Sequence, residues 1–275
     1  MDSINRENFS VLISVYYKEE PEYLKGALES IWNNQTIKPA EIVLVKDGPL
    51  TSELDKVVDD FSKEAPLKVL ALKENQGLGK ALALGLQECT NELVARMDSD
   101  DIAYPDRFEK QITFFKDNME ISLLGGQIAE FDGNRSEING YRKVPQDYRD
   151  IMHFATKRNP MNHMTVMFKK SSVLNVGNYL PFKGYEDYFL WVRMLNNGYK
   201  AENLKDNLVY ARIGNNMLAR RQGVVFFKEE IRLQKEFLSM GFINRIEYFR
   251  NILLRAVPRL MPIFMLQIIY KTLRK

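Results

Sequence analysis

The sequence predicts an α/β protein in which a mostly parallel, Rossmann-like sheet is flanked by helices. Strand and helix patterns alternate with short connections through the first hundred residues, which is typical of a parallel sheet covered on both faces. The 275 residues are 45% hydrophobic and 27% charged, enough for one large globular domain. The sequence has no repeats, low-complexity tracts or Gly/Ser linker. We therefore assign residues 1–240 to one domain and residues 241–275 to a basic, amphipathic helical tail.

The predicted strands of the first half are short apolar runs rich in β-branched residues. They are Phe9–Tyr17, Glu41–Lys46, Leu67–Leu72 and Leu93–Met97. Three predicted helices, with apolar positions at 3.6-residue spacing, separate these strands. The first begins at Pro21, the second is Thr51–Ala65, and the third runs from Leu78 to about Cys89. Ligands bind at the carboxyl ends of parallel strands, so we expect the functional site in the turns after the first, second and fourth strands.

The second half of the sequence is less regular. Its patterns predict helices at Arg107–Asn118, Asp187–Asn197 and Asn216–Met240, with strands at Ser122–Phe131 and Asn162–Lys169. Gly198 is expected to end the helix before it.

Composition limits the kinds of ligand. One cysteine and two histidines cannot by themselves form a structural zinc site, so a bound metal would be held mainly by oxygen, which points to Mg²⁺ or Mn²⁺. A net charge of +3 is too small to indicate a nucleic-acid partner. The glycine-rich motifs of dinucleotide-binding proteins and P-loop NTPases are absent. The lone Cys89 fits a reducing compartment.

The strongest local signal is the acidic segment that follows the fourth predicted strand, Asp98-Ser99-Asp100-Asp101. Three carboxylates in four residues repel one another unless a cation or hydrogen-bond donors neutralise them. A solvated acidic turn is the alternative. The position of this acidic segment at the ligand-binding end of a buried strand favours metal binding.

Four weaker signals have ordinary structural alternatives. The segment Asn75–Lys80 is a tight turn before a helix, or it places Lys80 near a phosphate. Glu186 and Asp187 are caps of a helix N-terminus, or catalytic acids. Arg220 and Arg221 form a solvated basic turn or a phosphate clamp. His163 is a structural residue or a minor candidate for the acceptor or phosphate site.

Five motifs in order resemble the family 2 glycosyltransferases of the GT-A fold, most of all those that build bacterial O-antigen and capsular polysaccharide. The resemblance covers residues 9 to 240. Its motifs are Ile13–Tyr17, Val43–Gly48, Asn75–Gly79, Met97–Asp101 and Glu186–Asp187. Ala83 departs from the Asn that relatives often carry, and the Gln-x-x-Arg-Trp motif of processive synthases is missing, which argues against a chain polymerase.

This resemblance implies an inverting transfer of a hexose or N-acetylhexosamine from a UDP-sugar to a hydroxyl of a lipid-linked saccharide, with Mn²⁺ or Mg²⁺. It assigns the catalytic base to Asp187, with Glu186 as the fallback, and the metal to Asp100 with Asp98. The side chains expected at the nucleotide are Ser14, Tyr16, Glu20, Asp47, Lys80 and Asp98.

Other classes of protein remain open at this stage. A sugar nucleotidyltransferase has a similar sheet, but its glycine-rich basic loop is replaced here by Tyr16–Glu20. A noncatalytic carbohydrate- or membrane-binding module is the second alternative, against which the acidic segments argue weakly. Sequence alone does not exclude a retaining transferase, and it says nothing of the sugar, the linkage or the oligomeric state.

The tail, Gly241 to Lys275, carries seven Lys or Arg residues and one acid among many apolar residues. Pro258 and Pro262 are expected to break any long helix in it. The tail is either a helix packed on the domain or a segment that lies on an anionic membrane surface. With no signal peptide and no apolar stretch of ~18 residues, we expect a cytoplasmic protein, peripheral on the inner face of the plasma membrane.

Overall fold

A nine-stranded mixed sheet forms the centre of the protein. The structure is a computed structural model, and it describes residues 8–214 and 223–260. The strands are β1 (Phe9–Val15), β2 (Glu41–Lys46), β3 (Leu67–Ala71), β4 (Leu93–Met97), β5 (Ile102–Ala103), β6 (Ile121–Phe131), β7 (Ile138–Arg142), β8 (Met167–Lys169) and β9 (Lys200–Arg212).

Helices cover both faces of this sheet. They are α1 (Pro21–Ile31), α2 (Ser52–Phe61), α3 (Leu78–Glu88), α4 (Arg107–Asp117), α5 (Tyr148–Ala155), α6 (Lys170–Asn175), α7 (Glu186–Asn196), α8 (Val224–Ser239) and α9 (Arg245–Leu260), with a 3₁₀ turn at His163–Thr165.

The strand order is β3-β2-β1-β4-β8-β6-β9-β5, and β7 pairs with β6. The first four strands are mutually parallel, and β1 is central to them, with Leu12 opposite both Val43 and Arg96. The sheet then becomes mixed, because β8 is antiparallel to both of its neighbours while β6 and β9 run parallel. The parallel part brings the carboxyl ends of β1, β2 and β4 to one edge, as the sequence predicts.

Alternate residues of β1 enter separate hydrophobic cores. Leu12 packs in the core beneath α3, α7 and α8, and Val11 and Ile13 pack in the core beneath α1, α2 and α4. Period-two alternation between two apolar faces explains why the central strands are almost continuously hydrophobic.

Most predicted elements of the first half are confirmed to within a few residues, and Glu41–Lys46 and Leu93–Met97 match at both ends. The strand predicted at Asn162–Lys169 is wrong in its first half. There the chain forms the 3₁₀ turn, in which the Thr165 N–H donates to the carbonyl of Asn162 at 2.9 Å, and only Met167–Lys169 is strand. The helix predicted from Asn216 is described from Val224 onward.

The first part of the tail is a helix that packs on the domain. Asn251, buried in α9, donates to the carbonyl of Thr156 at 2.7 Å and to Gln234 Oε1 at 2.9 Å. Arg255 pairs with the buried Glu230 at 2.8 Å. The expectation that Pro258 breaks the helix is wrong, because α9 continues to Leu260. Proline removes a single backbone hydrogen bond here, close to the described end of the helix. Pro262 lies outside the described residues.

Membrane spans are not found in the described part of the chain, where no helix combines the length and hydropathy that crossing a bilayer requires.

Candidate active site

The acidic turn sits at the carboxyl end of β4 and is fixed by two arginines. Arg96, the fourth residue of β4, forms an ion pair with Asp98. Asp101 is buried, and its Oδ1 accepts the backbone N–H of Arg212, at the end of β9, at 2.7 Å. Arg212 Nε in turn donates to the carbonyl of Asp100 at 3.1 Å. Asp101 therefore anchors the turn, and Asp98 and Asp100, both partly exposed, face the site.

Crowding of negative charge raises the proton affinity of this turn. Burial, with the charges of Asp98 and Glu19, raises the pKa of Asp100 to about 7. Burial and the two neighbouring aspartates raise the pKa of Asp101 well above its ordinary value. A cation placed among these carboxylates would relieve the repulsion.

Glu19 belongs to the site although sequence reasoning passed over it. Its carboxylate accepts a hydrogen bond from the Ser99 hydroxyl, which ties the loop after β1 to the acidic turn. Glu20, which the resemblance places near the nucleotide, is an exposed residue at the N-cap of α1, and its role there stays a prediction. No pattern within the sequence distinguishes Glu19 from Glu20, because the partner Ser99 is 80 residues away.

The turn after β2 is held by Asp47. This buried carboxylate accepts the backbone N–H groups of Gln76 at 2.7 Å and Gly77 at 3.0 Å. Both carboxylate oxygens thus hold the loop before α3, and the role of Asp47 at the nucleotide stays a prediction. Lys80 is exposed in the first turn of α3.

Two further candidates for the nucleotide lie at the end of β1. Ser14 and Tyr16 are partly buried on either side of Val15, whose carbonyl accepts the backbone N–H of Asp47 at 2.8 Å. The two residues therefore share the edge that carries Asp47, and their role at the nucleotide stays a prediction.

Glu186 and Asp187 lie in the first turn of α7, at the positive end of the helix dipole, whereas the N-cap is Tyr185 and no side chain caps the helix by a hydrogen bond. Asp187 is partly exposed, and its Oδ2 accepts a hydrogen bond from Asn159 Nδ2 at 2.6 Å. Glu186 is buried. Burial, and then the charge of Asp187, raise the pKa of Glu186 to about 7, against a lowering effect from Arg96. Glu186 and Asp187 are thus adjacent carboxyl groups in unlike surroundings, a pattern found in acid–base sites.

His163 lies behind this turn, in an aromatic cluster. Its Nε2 is 3.1 Å from the hydroxyl of Tyr179, and its ring meets Trp191 edge-on with centroids 5.9 Å apart. Burial and the charge of Arg96 lower the pKa of His163 well below its ordinary value, so the imidazole is neutral. Arg220 and Arg221 lie outside the described residues.

The oxygen ligands of this site fit a divalent cation that shares its coordination with a substrate. Within residues 8–214 and 223–260, no three His, Cys, Asp or Glu side chains are arranged to hold a metal. Asp98 and Asp100 are two carboxylates, and Mg²⁺ is commonly held by one or two carboxylates together with substrate phosphates.

The arrangement defines a class of enzyme. The acidic turn and the separate carboxylate pair, both within electrostatic reach of Arg96, are features that the active site of a glycosyltransferase would use. The chain belongs to glycosyl transferase family 2, whose model matches residues 10–175.

Relatives of nearly equal length support this assignment. An uncharacterized glycosyltransferase of Haemophilus influenzae is 46% identical, over 97% of this chain and 99% of the relative. An amylovoran biosynthesis glycosyltransferase of Erwinia amylovora is 42% identical, over 97% and 99%. An Escherichia coli UDP-Gal:alpha-D-GlcNAc-diphosphoundecaprenol beta-1,3-galactosyltransferase is 37% identical, over 96% and 95%. The protein is therefore an enzyme, a glycosyltransferase.

Solved structures confirm the GT-A fold. S. aureus TarS 1-349 in complex with UDP-GlcNAc superposes with a TM-score of 0.68 at 20% identity, covering 89% of this chain and 70% of that one. The mannosyltransferase PcManGT from Pyrobaculum calidifontis, in complex with GDP-Man and Mn²⁺, gives 0.63 at 15% identity, covering 94% and 72%.

Proposed function

We propose that this enzyme transfers a hexose or N-acetylhexosamine from a UDP-sugar to a hydroxyl of a lipid-linked saccharide during synthesis of a bacterial surface polysaccharide, with inversion at the anomeric carbon. The observation that carries the proposal is the placement of buried Arg96 within electrostatic reach of both the acidic turn and Glu186. The two carboxylate groups thus lie within electrostatic reach of one buried cation, although some 90 residues of chain separate them.

The acidic turn has the chemistry to hold the leaving diphosphate. Asp98 and Asp100 would bind Mn²⁺ or Mg²⁺, which supplies a Lewis acid for the charge that develops on the phosphate oxygens. Ser14, Tyr16, Glu20, Asp47 and Lys80 are proposed around the nucleotide, and Arg220 and Arg221 at the diphosphate. Support for a UDP-sugar comes from the galactosyltransferase relative and from the structural neighbour bound to UDP-GlcNAc.

Asp187 is the proposed base. It takes the proton from the acceptor hydroxyl while the acceptor oxygen bonds to the anomeric carbon and the bond from that carbon to the diphosphate oxygen breaks. UDP leaves, and a single displacement inverts the anomer. Asp187 is partly exposed and lies on a segment separate from the acidic turn, as a base opposite the leaving group requires. His163 is a minor candidate for acceptor binding.

An exposed apolar face on α9 supports the proposal of a lipid-linked acceptor. Ile246, Phe249, Leu253 and Leu254 are 81%, 69%, 71% and 65% exposed, at spacings that put them on one side of the helix. The sequence beyond Leu260 adds apolar residues with Lys271, Arg274 and Lys275. An apolar helix face, together with these basic residues of the sequence, suits an anionic membrane surface, where the enzyme would meet a lipid-linked acceptor.

Turnover of a nucleotide-sugar tests the function. Purified protein should release nucleoside diphosphate from a UDP-sugar, but not from GDP- or dTDP-sugars, and only with Mn²⁺ or Mg²⁺. Asp100→Ala should lower turnover by ~10²-fold or more, because a metal Lewis acid supplies several kcal/mol to the transition state. Asp59→Ala, at an exposed position on α2, is the control. Full activity in EDTA or in Asp100→Ala would contradict the metal assignment, and pyrophosphate formation from UTP and a sugar phosphate would indicate a nucleotidyltransferase.

A further inference from the structure

Arg96 is a buried cation with unused hydrogen-bond donors. The residue is 1% exposed, and Nη2 is the nitrogen that pairs with Asp98. Within the described part of the chain, Nε and Nη1 have no hydrogen-bond partner. Leaving donors of a buried charged group unsatisfied is costly, so native proteins rarely do it without a ligand or water.

A second buried arginine nearby shows what a structural arginine looks like here. Arg107 is 0% exposed, and all three of its nitrogens are engaged. Nε donates to Gln111 at 3.1 Å, Nη2 to the carbonyl of Arg96 at 2.7 Å, and Nη1 lies 3.2 Å from the sulfur of Met97. Arg107 thus contacts the backbone of Arg96, yet Arg96 alone of this pair keeps free donors.

Arg96 lies within electrostatic reach of both parts of the site. Its electrostatic neighbours include Asp98 and Asp101 on the acidic turn, and Glu186 at the start of α7. Tyr179 and neutral His163 are also within electrostatic reach of Arg96, and these two are hydrogen-bonded to each other. A further unused donor, Trp191 Nε1, lies in the same aromatic cluster.

Charge decides what kind of ligand fits. Asp98 already pairs with the guanidinium, and the cation proposed at Asp98 and Asp100 would hold the diphosphate, so the free donors of Arg96 are left for an uncharged group. A neutral group rich in oxygen can accept from the arginine and donate to a carboxylate, and a sugar hydroxyl does both. We propose that Arg96 binds a hydroxyl of the transferred sugar of the donor and so contributes to donor specificity. This inference rests on the proposed function.

The test pairs one protein change with a series of donor changes. Kinetics are measured for the wild type and Arg96→Lys with the accepted UDP-sugar and its deoxy analogues, each lacking one hydroxyl. A hydrogen bond from a charged donor predicts that one analogue loses about 10–100-fold in kcat/KM with the wild type. With Arg96→Lys, kcat/KM for this analogue should be nearly equal to kcat/KM for the complete donor. Each of the other analogues should lower kcat/KM by the same factor with both proteins. Arg107→Lys is the matched control and should keep the wild-type pattern.

The outcomes of these measurements distinguish a failure of the Arg96 inference from a failure of the proposed function. Equal losses for every analogue in the wild type and Arg96→Lys would overturn the inference and leave a buried water as the partner of Arg96. If Arg96→Lys does not fold, as judged by thermal unfolding, the wild-type series still decides, because the absence of any analogue with a tenfold loss contradicts the inference. A wild type that turns over no nucleotide-sugar contradicts the proposed function itself.

Discussion

Asn159 Nδ2 donates a hydrogen bond to Asp187 Oδ2 at 2.6 Å, and the orientation of this amide is fixed from its other side. Asn159 Oδ1 accepts the backbone N–H of Met161 at 3.2 Å, so the NH₂ group must face the carboxylate. The proposed base is thus held by a residue outside the set proposed to bind the nucleotide.

Asn159→Ala should lower kcat about tenfold while the affinity for UDP stays unchanged, because Asp187 loses the contact that aims it at the acceptor. Asn159→Asp should be worse, since it puts a second carboxylate against the first. Asn196→Ala, at the exposed far end of α7, is the control. Steady-state kinetics and UDP titration check this, and turnover of Asn159→Ala within twofold of the wild type would show that the contact does not matter to catalysis.

Glu186 is expected to lower the free energy of unfolding as the pH rises. Its pKa in the folded protein is raised from 4.5 to about 7, so the folded state holds the proton more tightly than the unfolded state. The stability that protonation gives is present below pH 4.5 and is lost as the pH rises through about 7. The shift corresponds to at most about 3 kcal/mol.

Glu186→Gln removes this titration. We expect the variant to match the wild type in free energy of unfolding near pH 4.5 and to exceed it at pH 8, by up to about 3 kcal/mol. Glu109→Gln, at an exposed position of α4, should show no such pH-dependent gain. Urea unfolding across this pH range measures the difference, and equal curves for Glu186→Gln and the wild type would refute the prediction.

The apolar face of α9 gives a membrane prediction. Phe249→Glu with Leu253→Glu should abolish flotation with vesicles that contain phosphatidylglycerol, and pure phosphatidylcholine vesicles should bind the wild type less. Met119→Glu with Tyr141→Glu, at similarly exposed positions elsewhere, is the control. Point variants suit this test better than removing residues 241–275, because Asn251 and Arg255 bind the domain. Unchanged flotation would contradict the proposal, as would a dimer that the α9 variants dissociate without any binding to vesicles.

Local patterns predict the parallel half of the fold because each strand there is buried on both faces and each helix has one apolar stripe. They miss β9, a long strand that begins with the polar stretch Lys200–Asn207, because its pairing with β6 is set by contacts distant in sequence. The 3₁₀ turn at His163–Thr165 likewise replaces part of a predicted strand, since Thr165 Oγ1 accepts the N–H of Gly126 at 3.0 Å and donates to the carbonyl of Asn162 at 2.7 Å.

The same limit applies to the site. The acidic turn is visible in the sequence because three acids follow a buried strand. Glu19, Asn159 and Arg212 are not visible, because each becomes meaningful only through a partner 80, 28 or 111 residues away. Sequence reasoning therefore finds residues that cluster along the chain, and the structure adds those that fold against them.

The most direct test of the account is the turnover of Asp187→Asn. The amide cannot accept the acceptor's proton, so kcat should fall by ~10²–10⁴-fold, the usual contribution of a general base. The affinity for UDP should remain at the wild-type value, because Asp187 does not touch the nucleotide, and Asp150→Asn, at an exposed position of α5, should retain full activity. Near wild-type turnover in Asp187→Asn, or loss of UDP binding in its place, would contradict the assignment of Asp187 as the base.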